Sequence, residues 1–251
     1  MDETREGVVD HLIDQLARGF VTELFVALDF DSAEKAVRMA NELASLVDGF
    51  KVGLELLLGP GPATIAAIRQ LGKPVFADAK LHDIPNTVSG AARQLGRLGA
   101  RYVTAHASGG PAMLAAAVEG LSDGASGHPA GILGITVLTS LDEAGLKSLG
   151  VTGTLGEQVA RLSKVAAGTG CEGVVCATKQ LGVVTQVAPD LLRVAPGIRN
   201  EVSGDDQVQV GAAEEALARG ADIIVVGRPI TKAADPMRAA SALADILHPP
   251  T

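Results

Sequence analysis

Asp78, Lys80 and Asp83 set two carboxylates around one ammonium within a short stretch of chain. An ammonium held among fixed negative charges suits chemistry that moves a proton or stabilises charge developing in a reaction. The stretch reads Asp78-Ala79-Lys80-Leu81-His82-Asp83-Ile84-Pro85-Asn86-Thr87-Val88 and follows the apolar run Pro74-Val75-Phe76-Ala77. That run reads as a buried strand. Side chains alternate along a strand, so Asp78 and Lys80 are expected on one face. Asp83 lies beyond the strand, a candidate N-cap ahead of Pro85, which suits the first turn of a helix. The C-terminal end of a strand is where parallel α/β proteins place their chemistry.

Other strand ends carry charge as well. Asp29 closes a first apolar run, Lys51 lies in a second, His106 closes a fourth, and Arg228 follows the last. Each alone would suit a surface ion pair or a cap; their joint placement points to a site. Gly227-Arg228-Pro229-Ile230 offers backbone N–H groups, a helix start and a guanidinium, the parts of a phosphate cradle. His106 reads as a hydrogen-bonded structural histidine. Metal chemistry finds little support. The five histidines are scattered, Lys51 stands where a magnesium carboxylate would be wanted, and nearby Glu55 is expected to begin a helix. No nucleophile elbow is present.

These residues need elements to position them. Apolar runs recur at Leu24–Asp29, Phe50–Gly53, Pro74–Lys80, Tyr102–His106, Gly131–Leu138, Gly173–Ala177, Leu191–Ala195 and Asp222–Gly227. Ala-rich stretches of helical period separate them, including Ser32 to Leu46, Ala63 to Leu71, Val88 to Leu98 and Gln207 to Arg219. Strands alternating with helices imply parallel βαβ units, and nearly unbroken apolar runs imply strands covered on both faces. The expected fold is therefore α/β, one (β/α)8 TIM barrel domain over residues 1–251. A doubly wound open sheet is the alternative. Val9, Leu12, Ile13, Leu16 and Phe20 fall at helical spacing, predicting an N-terminal helix that closes the barrel floor. Two longer connections, Thr139 to Gly156 and Gly197 to Gln207, follow predicted strands; the second is polar, flanked by glycine, and suits a lid.

Composition narrows the function. The net charge is −8 with both signs interspersed, so no polycation exists to hold a nucleic-acid backbone. Aromatics are 2% with no Trp, which removes base-stacking platforms. No transmembrane segment or apolar signal core is seen, so no membrane partner is expected. Cys171 and Cys176 fit neither a redox pair nor a zinc knuckle and read as buried free thiols of a cytoplasmic protein.

With these residues in place, the chain resembles the orotidine 5′-phosphate decarboxylase family. The resemblance rests on Asp78-x-Lys80-x-x-Asp83-Ile84-Pro85-Asn86-Thr87-Val88, a highly specific signature. Leu28-Asp29, Lys51-Val52-Gly53, Leu138-Thr139-Ser140, Ala195-Pro196-Gly197-Ile198-Arg199, Asp205-Asp206-Gln207 and Val226-Gly227-Arg228-Pro229-Ile230-Thr231 match in order, from about Glu23 to Pro236. Departures are mild. Small Ala77 and Ala79 flank Asp78, and Gln209 stands where bacterial relatives often carry a base, which bears on one accessory loop contact.

The resemblance implies decarboxylation of orotidine 5′-monophosphate to uridine 5′-monophosphate without a cofactor or metal, the last step of UMP synthesis. It also implies a homodimer with shared active sites. By that likeness Asp29 and Lys51 hold the ribose and link into the charged network. Asp78 and Lys80 act within one subunit, while Asp83 and Thr87 reach into the partner's site. Thr139, Ser140 and the neighbouring backbone read the pyrimidine, and Pro196 lines its site. Arg199, Gln207, Gly227 and Arg228 complete the substrate contacts, with Gln207 and Arg228 gripping the phosphate. Two other readings share the barrel. A metal-dependent sugar-phosphate decarboxylase or aldolase of the same suprafamily would carry a Glu where this chain has Lys51. A non-catalytic nucleotide-phosphate sensor would lack a member of the Lys51, Asp78, Lys80, Asp83 array, and all four are present.

Overall fold

The structure, a computed structural model, describes residues 21–198 and 206–248. Eight apolar runs form the eight strands of a closed barrel in the order β1 to β8. They are β1 (Glu23–Ala27), β2 (Gly49–Val52), β3 (Val75–Leu81), β4 (Tyr102–His106), β5 (Gly131–Ile135), β6 (Gly173–Val175), β7 (Leu192–Pro196) and β8 (Ile223–Val226). Between them, in chain order, run α1 (Ala33–Leu43), α2 (Leu54–Leu58), α3 (Ala63–Arg69), α4 (Pro85–Arg97), α5 (Pro111–Ala125), α6 (Glu143–Ser148), α7 (Leu155–Ala167), α8 (Leu181–Val187) and α9 (Asp206–Ala218), with α10 (Arg228–Thr231) and α11 (Pro236–Leu247) after β8. The barrel replaces the open-sheet alternative. The helix expected over residues 1–20 lies outside the described residues, as does most of the Gly197–Gln207 connection.

The chain divides into two compact units, with the breaks inside β3 and β7. The first holds the described residues up to Phe76 and from Ala195 onward. Here β1 pairs in parallel with β2 and with β8; Val26 lies beside Phe50 on one side and Val226 on the other. Leu24, Phe25, Val26, Phe50 and Ile224 have no exposure, as strands covered on both faces require. The Phe25 ring meets Phe76 edge-on with centroids 6.4 Å apart. Ser32 caps α1, accepting from Lys35 N.

The second unit, Ala77–Val194, carries β4 to β6 and the start of β7 in parallel register. Its helices α4 and α5 approach closely because their contact face is built from small residues. A Cβ on Gly120 would stand 2.2 Å from Ser89 O, and one on Gly124 would stand 2.1 Å from Arg93 O. Near the N-terminal ends of the strands, Arg101 grips both carboxylate oxygens of Glu172, 71 residues away, and its guanidinium lies 4.1 Å over the Tyr102 ring. Thr154 and Glu157 form a reciprocal capping box at the start of α7.

Boundaries shift in ways that matter for the site. Asp29 lies two residues past the end of β1 rather than closing it. β5 stops at Ile135, so Thr139 and Ser140 sit in an exposed turn beyond it. α4 begins at Pro85, with Ile84, not Asp83, at the N-cap. Proline disfavours helical geometry in the residue before it, so Ile84 stays extended at ψ 151 and takes the cap position.

Candidate active site

In the second unit, the alternation of β3 brings Asp78 and Lys80 together as expected. Lys80 Nζ donates to Asp78 Oδ2 at 2.6 Å. The backbone does this in an unexpected way. Lys80 has φ +50, one of two positive-φ non-glycine residues among those described. A left-handed L-residue with a long side chain costs about 1–2 kcal/mol, which the surroundings must supply. They do so through Thr104, at the middle of β4 and 1% exposed. Thr104 Oγ1 accepts from Lys80 N at 2.9 Å and donates to Asp78 Oδ1 at 2.9 Å. Thr104 was not among the residues singled out by sequence. Its signal is slight: a hydroxyl at the centre of the run Tyr102–His106, where Thr also serves as an ordinary strand former.

His106 ends β4 and faces His82, with ring centroids 5.2 Å apart. Burial first, then the nearby His82 and Lys80 charges, push its pKa below the ordinary 6.5, with Asp78 pulling the other way. Past β3 the chain turns outward. Asp83 is exposed, its Oδ1 accepting from Ile84 N at 2.6 Å. Ile84 is 66% exposed, and Asn86 and Thr87 are exposed as well.

The first unit assembles a second charged pair. Lys51, 9% exposed at the inner end of β2, places Nζ 3.3 Å from Asp29 Oδ1. Gly53 makes room for it, since a Cβ there would stand 3.0 Å from Lys51 Nζ and 3.2 Å from Asp29 Oδ1. Gly227 comes near the same carboxylate; its Cβ would be 3.6 Å from Asp29 Oδ2. Arg228 is exposed at the start of α10. That helix is a single turn, so the backbone N–H groups and the guanidinium, rather than a macrodipole, are what it offers an anion. Pro196 ends β7, and Gly197 follows at φ +70, a turn that favours glycine. Arg199 and the side chains of Gln207 and Gln209 lie outside the described residues.

One ammonium–carboxylate pair thus lies at the end of β3 in the second unit, and another joins β2 to the residues after β1 in the first. The chain matches the orotidine 5′-phosphate decarboxylase / HUMPS family over residues 22–243. It belongs to that family. A protein of Paramagnetospirillum magneticum named orotidine 5′-phosphate decarboxylase is 43% identical over 228 residues, 89% of this chain and 97% of that protein. One from Anaeromyxobacter sp. strain K, of the same name, is 46% identical over 87% of this chain and 95% of its own length. The crystal structure of orotidine 5′-phosphate decarboxylase from Lactobacillus acidophilus superposes with a TM-score of 0.76 at 34% identity, covering 90% of this chain and 99% of that one.

Within this decarboxylase family frame, the remaining chemistry-bearing groups read as structural. Cys171 and Cys176 are both free and buried. Burial pushes the Cys176 thiol up to about 12, which keeps it protonated and inert. Among the described residues no group of three or more His, Cys, Asp or Glu side chains could hold a metal ion. No helix among them is long and apolar enough to cross a membrane.

Proposed function

We propose that the protein converts orotidine 5′-monophosphate to uridine 5′-monophosphate and carbon dioxide, the closing step of UMP synthesis, as one catalytic domain acting in the cytoplasm. The observation that carries this reading is the Lys80 ammonium, held 2.6 Å from the Asp78 carboxylate at the end of β3 in a chain of this family.

The chemistry explains the need for such a pair. When the bond from C6 to the carboxyl carbon breaks, the electron pair stays on C6, where no adjacent carbonyl can take it up. No side chain is an electron sink, so preorganised charge must do the stabilising. Lys80 stabilises the developing charge and then gives C6 a proton, leaving a neutral amine that solvent reprotonates. Asp78 holds that ammonium in place and sits beside the departing carboxylate. Lys51 and Asp29 bind the ribose. Thr139 and Ser140 read the pyrimidine beside Pro196. Gly227 and Arg228 take the phosphate with Gln207 and Arg199, and this remote binding energy is used at C6.

Asp83 and Thr87 serve the neighbouring subunit of a homodimer. The outward turn after β3 supports this, since Asp83 to Thr87 form an exposed run that includes Ile84. No nucleic acid or membrane takes part.

The test follows absorbance on addition of orotidine 5′-monophosphate, with and without EDTA. Turnover is expected in both. No turnover by folded protein would overturn the reading, and turnover lost on chelation would overturn its metal-free chemistry.

A further inference from the structure

We infer that Thr104 is a positioning residue for the decarboxylation, one hydroxyl that fixes both the turned backbone of Lys80 and the rotation of the Asp78 carboxylate. The inference deepens the proposed function and rests on Lys80 and Asp78 acting as stated there.

A hydroxyl has one hydrogen to donate and lone pairs with which to accept. Thr104 Oγ1 uses its hydrogen on Asp78 Oδ1 and a lone pair on Lys80 N, both at 2.9 Å. At 1% exposure, no bulk water reaches Thr104 to take over either role. A branched side chain in a strand also has few χ1 choices, so the hydroxyl is held by its own backbone.

Two consequences follow. Lys80 sits at φ +50, a conformation its side chain disfavours, and the bond from its own N–H to Thr104 anchors that turned peptide. With Oδ1 of Asp78 occupied by Thr104, Oδ2 is the oxygen that meets Lys80 Nζ, at 2.6 Å. Both ends of the ammonium–carboxylate pair are thus set from a third side chain on the next strand. A misplacement of the proton donor by a fraction of an ångström falls on the chemical step rather than on binding.

The experiment compares two pairs that differ by the hydroxyl: Thr104 with Thr104→Val, and Thr104→Ser with Thr104→Ala. If the valine variant fails to fold, the second pair still decides. Lys80→Ala runs alongside. The hydroxyl-free variants are expected to lose about tenfold to a hundredfold in kcat, the scale of one hydrogen bond to a charged group. KM should change by less than about threefold. Thr104→Ser should stay within about threefold of the parent. A merely structural hydroxyl would lower the melting temperature without this split between kcat and KM. The inference is overturned if Lys80→Ala is inactive while Thr104→Val or Thr104→Ala matches its hydroxyl-bearing counterpart, or if Ser and Ala are equally impaired. Activity surviving in Lys80→Ala would instead overturn the reading on which the inference rests.

Discussion

Gly120→Ala isolates the close approach of α4 and α5. Two effects oppose each other. Alanine is favoured over glycine in a helix interior by about 1 kcal/mol. Against this, the new Cβ would stand 2.2 Å from Ser89 O and 2.8 Å from Ser89 C and Cα. Even a short carbon–oxygen contact is about 3.3 Å, so the helices must separate by roughly 1 Å. The obstacle is backbone, which cannot swing aside as a side-chain tip would. Overpacking of this kind costs about 1–3 kcal/mol and sometimes more. With backbone on both sides the upper end applies, leaving a net loss of about 2 kcal/mol. For a chain of this size that lowers Tm by roughly 4–8 °C. The control is Gly182→Ala in α8, where nothing lies within 4 Å of the added carbon; its Tm should hold or rise slightly. Thermal denaturation of the purified variants reads both. A Gly120→Ala protein as stable as the parent would refute the claim that the glycine face sets the helix separation.

Arg228→Ala should weaken orotidine 5′-monophosphate strongly and leave a phosphate-free nucleoside nearly indifferent; equal losses in steady-state kinetics would place Arg228 away from the phosphate. Mixing inactive Lys80→Ala with inactive Asp83→Ala and allowing subunit exchange should restore about a quarter of parental activity, because about half the dimers carry one intact site. No recovery after confirmed exchange would place Asp83 in its own subunit's site. His106, whose pKa lies below 6.5 in the folded chain, binds protons more readily when unfolded. Its contribution is therefore complete above about pH 6.5 and lost as pH falls through that value toward the folded pKa. Urea midpoints of His106→Asn should decline less between pH 7.5 and 5.5 than those of the parent, and equal declines would remove His106 as the cause.

Much of this fold is legible in sequence because burial on both faces leaves strands as unbroken apolar runs, and Tyr102–His106 falls where that pattern puts it. The charged pair of β3 is legible for the same reason, since alternation puts Asp78 and Lys80 on one side. What escapes depends on partners distant in sequence or on backbone detail. Glu172 meets Arg101 only through the barrel. Thr104 reveals its role only once β3 and β4 lie side by side. The left-handed turn at Lys80 contradicts local preference, and local preference is all that a sequence pattern reports. Asp83, a candidate cap in the sequence, gives that position to Ile84 because the residue before a proline stays extended. The Gly120 and Gly124 pair stands in the sequence four residues apart, but its meaning depends on the facing backbone of Ser89 and Arg93.

The central claim is that the Lys80 ammonium, held by Asp78, stabilises the charge left at C6 and then supplies its proton. The most direct test is kcat of Lys80→Ala on orotidine 5′-monophosphate, with circular dichroism and melting temperature confirming the fold. Turnover should fall below detection while the fold is retained. A kcat within about tenfold of the parent would contradict the claim, because a group that both stabilises the carbanion and protonates it cannot be lost for little more than about 1.4 kcal/mol.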